Sequence, residues 1–224
     1  MAFSGFSEDT FHFLQDLSLN NNREWFTREK KRYQQVVKEP SETFLEAMLD
    51  EVAAITEVPM DGKIFRINRD VRFSKDKTPY NTHIRMLFHP VMEVKACGDA
   101  PAFFLSLEID HLIIGTGLRE FSKDFLVRYR SAVDDADKGT KLEQLLAAQL
   151  AVSGTYLEEP ELKRVPNGYD ADHPRGELLR RKSLSIWQKT PLCHEIYVTG
   201  AARFIGDYYR RFQPVYVWLG ELSS

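Results

Sequence analysis

Cysteine is scarce in this chain. Only Cys97 and Cys193 occur among 224 residues, far apart and without the spacing of a metal-binding pair. A disulfide framework is therefore not expected, and a reducing cytoplasm fits. Long apolar runs are missing too. Nothing approaches the roughly 18 consecutive apolar residues that a membrane span needs, so no membrane partner is expected. The opening residues, Met1 to Phe6, lack the basic stretch and apolar run of a signal peptide. No Gly/Ser-rich or Pro-rich linker, repeat or low-complexity tract divides the chain, which predicts one domain over residues 1–224. An excess of positive charge is absent as well. The formal net charge is -3 and the pI about 6.1, which argues against coating nucleic acid by bulk charge and leaves a local basic pocket open.

What is present is a change of period. Phe11, Leu14 and Leu17 recur at helical spacing and predict a helix over 8–18, with Ser7 able to cap it. Asn20-Asn21-Asn22 suits a corner, and Asn22 is a natural N-cap for a second helix, 23–38, carrying Trp25, Phe26 and Tyr33. Pro40 is expected to stop that helix, and Ser41 to cap a third reaching about Ile55. Residues 63–73 then alternate with a period of two, as do Ile84, Met86 and Phe88. Phe103, Leu105, Leu107 and Ile109 follow, with a hairpin partner over 111–117. After that the chain is mostly helical: 122–133, an acidic turn at 134–139, 140–152, and a closing helix over 199–219 with Pro214 as its natural break. Regular structure is also expected over 178–187. Helices, then strands, then helices predict an α+β fold, an antiparallel sheet of four or more strands flanked by N-terminal and C-terminal helices.

The segment Arg66 to Tyr80 concentrates the chemistry. Arg66, Arg69, Arg72, Lys75 and Lys77 place five cations within twelve residues. Read as a strand, it puts Arg66, Asn68, Asp70 and Arg72 on one face, with His83 and Arg85 able to join from the next strand. Arg69 falls on the apolar parity and would need a buried acid. Arginine offers the planar, bidentate donors that a phosphate or carboxylate requires, and lysines on the following loop would close over such a ligand. This reading assigns Arg66, Arg69, Arg72, Lys77 and Arg85 to ligand binding. Asp70 orients the arginines or acts as a base, and Tyr80 donates a hydrogen bond. Paired with neighbouring acids, the same residues would be an ordinary polar sheet face of little energetic consequence. A metal site built from Asp70, His83, Glu108 and Asp110 lacks any local ligand spacing and is opposed by the surrounding cations.

Two other stretches carry weaker signals. The irregular stretch 158–176 contains Asp172-His173-Pro174, and His173 is a candidate acid/base because histidine titrates near neutrality. The competing reading, a cap for the helix after Pro174, explains the same residues. Asn20 to Phe26 is accounted for by helix capping and core aromatics. Ser74, Ser183 and Cys193 lack a nucleophile elbow, and Gly115-Thr116-Gly117 lacks the third glycine of a dinucleotide loop.

The motif Arg66-x-x-Arg69-Asp70-x-Arg72-Phe73, then Asp76-Lys77-x-x-Tyr80, resembles the hallmark of an uncharacterised family, domain of unknown function 2461, whose members are mostly bacterial with fungal relatives. Asn21 to Phe26, Gly115-Thr116-Gly117, Pro166 to Pro174, and Leu178-Leu179-Arg180 with Lys182 extend the resemblance over nearly the whole chain. Asn167 stands where the resemblance leads one to expect lysine, which argues against an essential role there. The family implies no known reaction, substrate or cofactor. Three readings follow: an enzyme or binder for a phosphate-bearing or other anionic small molecule, a non-enzymatic module gripping an acidic partner or nucleic acid, and a purely structural arginine cluster. No cofactor is called for, and the oligomeric state is not specified by these residues.

Overall fold

The structure is a computed structural model that describes residues 3–91 and 99–223, so Cys97 lies outside the described residues. Helix α1 (Glu8–Leu19) buries Phe11, Phe13, Leu14 and Leu17. Ser7 sits at its N-cap, but its hydroxyl meets Thr10 Oγ1 (3.3 Å) rather than a backbone N–H. Asn22 caps α2 (Arg23–Tyr33) as expected, accepting from Trp25 N at 2.9 Å.

Pro40 does not stop the chain of helices. A π-turn at Gln34–Lys38 carries α2 straight into α3 (Glu39–Thr56), with Pro40 in the first turn of α3. Proline brings no N–H to the coil, and it stands directly after the π-turn, where the regular i→i−4 bonding register is already interrupted. Ser41 is therefore no cap; its hydroxyl donates back to Val37 O (2.6 Å). Phe44, Met48, Val52 and Ile55 form the buried stripe of α3.

Among the described residues six strands form one antiparallel sheet in the order β1-β2-β3-β4-β6-β5. They are β1 (Met60–Ile64), β2 (Ile84–Pro90), β3 (Ala102–Leu107), β4 (His111–Leu118), β5 (Thr155–Leu157) and β6 (Leu184–Pro191). Met86, Leu105 and Ile114 lie side by side across the strands, and Phe88, Phe103, Thr116 and Ile186 do the same. All of these are buried, so this face is the core. Helices α3 and α7 (Ala201–Gly220) pack together and reach the sheet over β1 and β4. Tyr209 of α7 rests on Phe103 (4.5 Å between ring centres), and Tyr216 stacks on it at 4.6 Å. Helix α7 runs unbroken through Pro214.

Helices α4 (Lys123–Asp134) and α5 (Ala136–Leu150) are separated by one residue, Asp135. Its carboxylate caps α5 from the N–H groups of Asp137 and Lys138, so the expected acidic turn is mostly the first turn of a helix. A short helix α6 (Gly176–Leu179) follows the irregular stretch. The buried apolar side chains join in one continuous cluster. Among the described residues no helix is long and apolar enough to cross a membrane.

The predicted strand over 63–73 is the main departure. Regular pairing ends at Ile64; beyond it Phe65 N still donates to Arg85 O (2.9 Å), and an isolated bridge joins Asn68 to Tyr80. Alternation misled because it was not backed by burial. Ile67 is buried, while Phe65 is 46% exposed and Phe73 96% exposed. Arg66, Asn68, Asp70 and Arg72 thus share no strand face.

Candidate functional site

Residues 66–81 form a loop that doubles back and is tied at its neck. Arg69 N donates to Pro79 O (2.8 Å) and Asn81 N to Ile67 O (2.7 Å). The Arg69 guanidinium crosses the neck, donating to Asp76 Oδ2 (2.5 Å), Thr78 O (3.2 Å) and the Thr78 hydroxyl. Asp76 also accepts from Thr78 N at 2.9 Å. The Thr78 backbone N–H, Arg69 and the Thr78 hydroxyl together hold the Asp76 carboxyl down at about 2. The acid that Arg69 needs thus comes from its own loop and is itself exposed, not buried in the core.

The loop is clamped to the helices by Asn21. Its side chain accepts from Tyr80 N (3.1 Å) and donates to Tyr80 O (2.9 Å), pairing with one residue's backbone as a neighbouring strand would. The Tyr80 ring is buried and stacks on Phe26 at 4.1 Å. Sequence spacing gave no hint of this clamp, because its partners are 59 residues apart.

At the loop's tip the charges pair locally. Arg72 donates to Asp70 through Nε (3.0 Å) and Nη2 (2.6 Å), and both side chains are exposed. The Arg72 hydrogen bonds lower the Asp70 carboxyl, with a smaller contribution from Arg66. Asp70 is therefore a weaker base than an ordinary aspartate. Lys77 Nζ donates to Val71 O (3.0 Å). Phe73 stands beside Arg72, its ring centre 5.9 Å from the guanidinium carbon.

Arg66 is different. Among the described residues its guanidinium makes no hydrogen bond and no ion pair, while its carbonyl accepts from Asn81 Nδ2 (3.3 Å). It lines a cleft of about 450 Å³ between the helices and the loop's root. Lys30, the π-turn's Lys38, Asn68 and His83 contribute polar groups to the same walls, and Phe26, Val37, Phe65 and Ile67 contribute apolar ones. Lys38 is partnered by Glu42 at 3.4 Å. A cleft of this size, mostly apolar with a few convergent polar groups, has the form of a small-molecule site. Of the residues predicted to bind or react, Arg66 lines it. Arg69, Asp70, Arg72, Lys77, Tyr80, Arg85 and His173 do not.

Behind the cleft lies a polar cluster on the outer face of the sheet, where strand parity placed its members. His83 Nδ1 is 3.5 Å from Glu108 Oε2, and Ser106 Oγ donates to Glu108 Oε1 at 2.6 Å. Burial pushes the Glu108 carboxyl up, but the hydrogen bonds from His83 and Ser106 together outweigh it, and nearby Arg85 adds to them. The carboxyl settles at about 2, against an ordinary value of 4.5. A carboxylate with a depressed value stabilises the fold above its ordinary value and loses that contribution as pH falls toward the folded one. The melting-temperature gap between wild type and Glu108→Gln is thus expected to be full just above pH 4.5 and to close toward pH 2. It corresponds to on the order of 3 kcal/mol. Thermal melts of both proteins across that window check this, and a gap independent of pH would refute it.

His173 lies elsewhere. Its Nδ1 accepts from Arg175 N (3.0 Å), which leaves the ring proton on Nε2, 3.2 Å from Asp134 Oδ1. Both nitrogens are engaged in fixing the turn before α6 to the end of α4. Among the described residues, no group of three or more His, Cys, Asp and Glu side chains is placed to hold a metal ion.

Comparison with known proteins places this architecture in context. The sequence profile of a family described as "Conserved hypothetical protein (DUF2461)" matches residues 9–218. No curated protein matches the chain.

Proposed function

We propose, for a chain that belongs to the DUF2461 family, that the cleft beside Arg66 binds an anionic small molecule. One observation carries this reading. Among the described residues Arg66 keeps its guanidinium unpaired at a walled cleft, whereas Arg69 and Arg72 are occupied within the loop. An arginine without a carboxylate partner retains its full capacity for bidentate bonds to an oxyanion. Lys30 makes no hydrogen bond or ion pair among the described residues and adds a second cation to the same walls. The apolar lining supplies a seat for the rest of the molecule.

The role of the famous-looking run of charge is thereby divided. Arg69, Asp76 and Thr78 shape the loop, and Arg66 meets the ligand. A ligand that binds only the folded state raises stability by about 2.7 kcal/mol at a hundredfold excess over its Kd. Sulfate and phosphate titrations followed by thermal melting are expected to show such a rise for the wild type. Arg66→Ala is expected to weaken it at least tenfold, while shifting the ligand-free stability by no more than about 0.5 kcal/mol. An unchanged anion response in Arg66→Ala would remove the basis of the reading.

A further inference from the structure

His83 faces two ways. One ring nitrogen, Nδ1, is directed to Glu108, which Ser106 steadies from the other side. His83 also belongs to the wall of the cleft that Arg66 lines. Both side chains of the pair are largely buried, 16% and 17% exposed, so the imidazole has few alternative positions. A carboxylate at Nδ1 fixes that nitrogen as the donor and leaves Nε2 as the one that meets a ligand. Among the described residues Nε2 has no hydrogen-bond partner.

We propose that His83, positioned by Glu108, selects tetrahedral dianions in the Arg66 cleft, and that the natural ligand is a phosphomonoester with an apolar or aromatic body. This rests on the cleft being the anion site. With Nδ1–H donating to Glu108, binding takes up one proton from solvent at Nε2. The imidazolium then donates Nε2–H to an oxyanion oxygen, and its charge adds to that of Arg66. A singly charged carboxylate gains less from that added charge than a dianion does. Phe26, Phe65 and Ile67 line the same walls and match an apolar ester group.

Other charges act on the same space. Arg66 comes from the loop's root, Lys30 from α2, Lys38 from the π-turn and Glu42 from α3; Arg85 of β2 lies near Glu108. Neither the arginines, the lysines nor the carboxylates change charge between about pH 5.5 and pH 8 at their ordinary values, whereas a histidine does. The Tyr33 phenol, raised by burial and then by Glu42, stays neutral throughout that range.

Inorganic sulfate is the suitable probe because it stays a dianion over this range, whereas phosphate changes its own charge. Sulfate affinity, read from thermal shifts or calorimetry, is expected to be roughly tenfold tighter at about pH 5.5 than at about pH 8 in the wild type. His83→Gln is expected to keep binding but lose the pH dependence. Glu108→Gln is expected to move the profile to lower pH, a change that a merely structural role would not produce. Equal sulfate affinity at both pH values, with Arg66 still required, would overturn this inference alone. No sulfate effect at either pH would overturn the cleft reading and this inference with it. If His83→Gln fails to fold, the imidazole nitrogen NMR signals of the wild type decide. Sulfate must shift His83 Nε2 toward the protonated form, and an unmoved signal counts against the proposal.

Discussion

Replacing Gly117 with alanine is expected to cost on the order of 4 kcal/mol or more, the range reserved for backbone collisions in a core. Gly117 has φ of 141°, a backbone region that side chains rarely enter. It lies on β4, inside the sheet between β3 and β6. A Cβ there would collide with Leu184 O and come within 2.6 Å of Ser185 Cα. Both are backbone atoms of the neighbouring strand and have no rotamer to escape into. Gly200→Ala is the control. Gly200 also has positive φ, 104°, but a Cβ there would meet nothing within 4 Å. Its cost is backbone strain alone, about 1–2 kcal/mol. At about 2–4 °C per kcal/mol for a chain of this size, Gly117→Ala is expected to melt roughly 10 °C or more below wild type, with Gly200→Ala only slightly below. Equal melting of the two variants would show that the approach of β6 to Gly117 adds no cost beyond backbone strain.

Asn21→Ala is expected to loosen the loop and the cleft wall together. It removes both bonds to the Tyr80 backbone and leaves a partly buried N–H and C=O without partners. A net bond contributes about 1 kcal/mol, and an orphaned buried group costs about 1–3 kcal/mol more, so a loss of about 2–4 kcal/mol is expected. The location of the damage is the sharper readout. Amide hydrogen exchange is expected to speed up at Arg69, Tyr80 and Asn81, whose backbone bonds close the neck, and to stay slow in β3 and β4. Asn21→Asp is a useful companion. It keeps the acceptor for Tyr80 N but turns an oxygen toward Tyr80 O, so it is expected to rescue little. Unchanged exchange at the neck in Asn21→Ala would mean that the clamp contributes nothing to loop order.

The contrast between these sites shows where sequence reasoning held. β2, β3 and β4 were legible because Ile84, Met86, Phe88 and their partners alternate and are buried on one side. The polar parity was legible too, and it placed His83, Arg85, Ser106 and Glu108 together on the outer face. Edge strands escaped notice. β1 reads Met-Asp-Gly-Lys-Ile and β5 has three residues; both are defined by pairing with a neighbour rather than by their own apolar pattern. The loop 66–80 failed for the opposite reason, since its alternation is genuine but Phe73 and Phe65 never find a core. The Asn21 clamp and the His83–Glu108 pair depend on tertiary proximity, which local periodicity does not encode. The sequence pattern assigns Arg66 to ligand binding together with Arg69, Arg72, Lys77 and Arg85. The distinction of Arg66, a guanidinium left over after its neighbours pair, emerges only once the partners are counted.

The π-turn at Gln34–Lys38 has a consequence for the phase of the helices on either side of it. A π-turn holds one residue more than an α-turn, so α2 and α3 are offset by one position in an otherwise continuous coil. Each α-helical residue turns the chain by about 100°. Deleting one residue from the turn would restore a regular helix and rotate α2 by that angle against α3. Phe26 and Lys30 would swing out of the cleft, while Ser41 and Glu42 stayed in place. The cleft's near wall is therefore set by a single-residue insertion in helical phase, a small change of length that determines which side chains stand opposite Arg66.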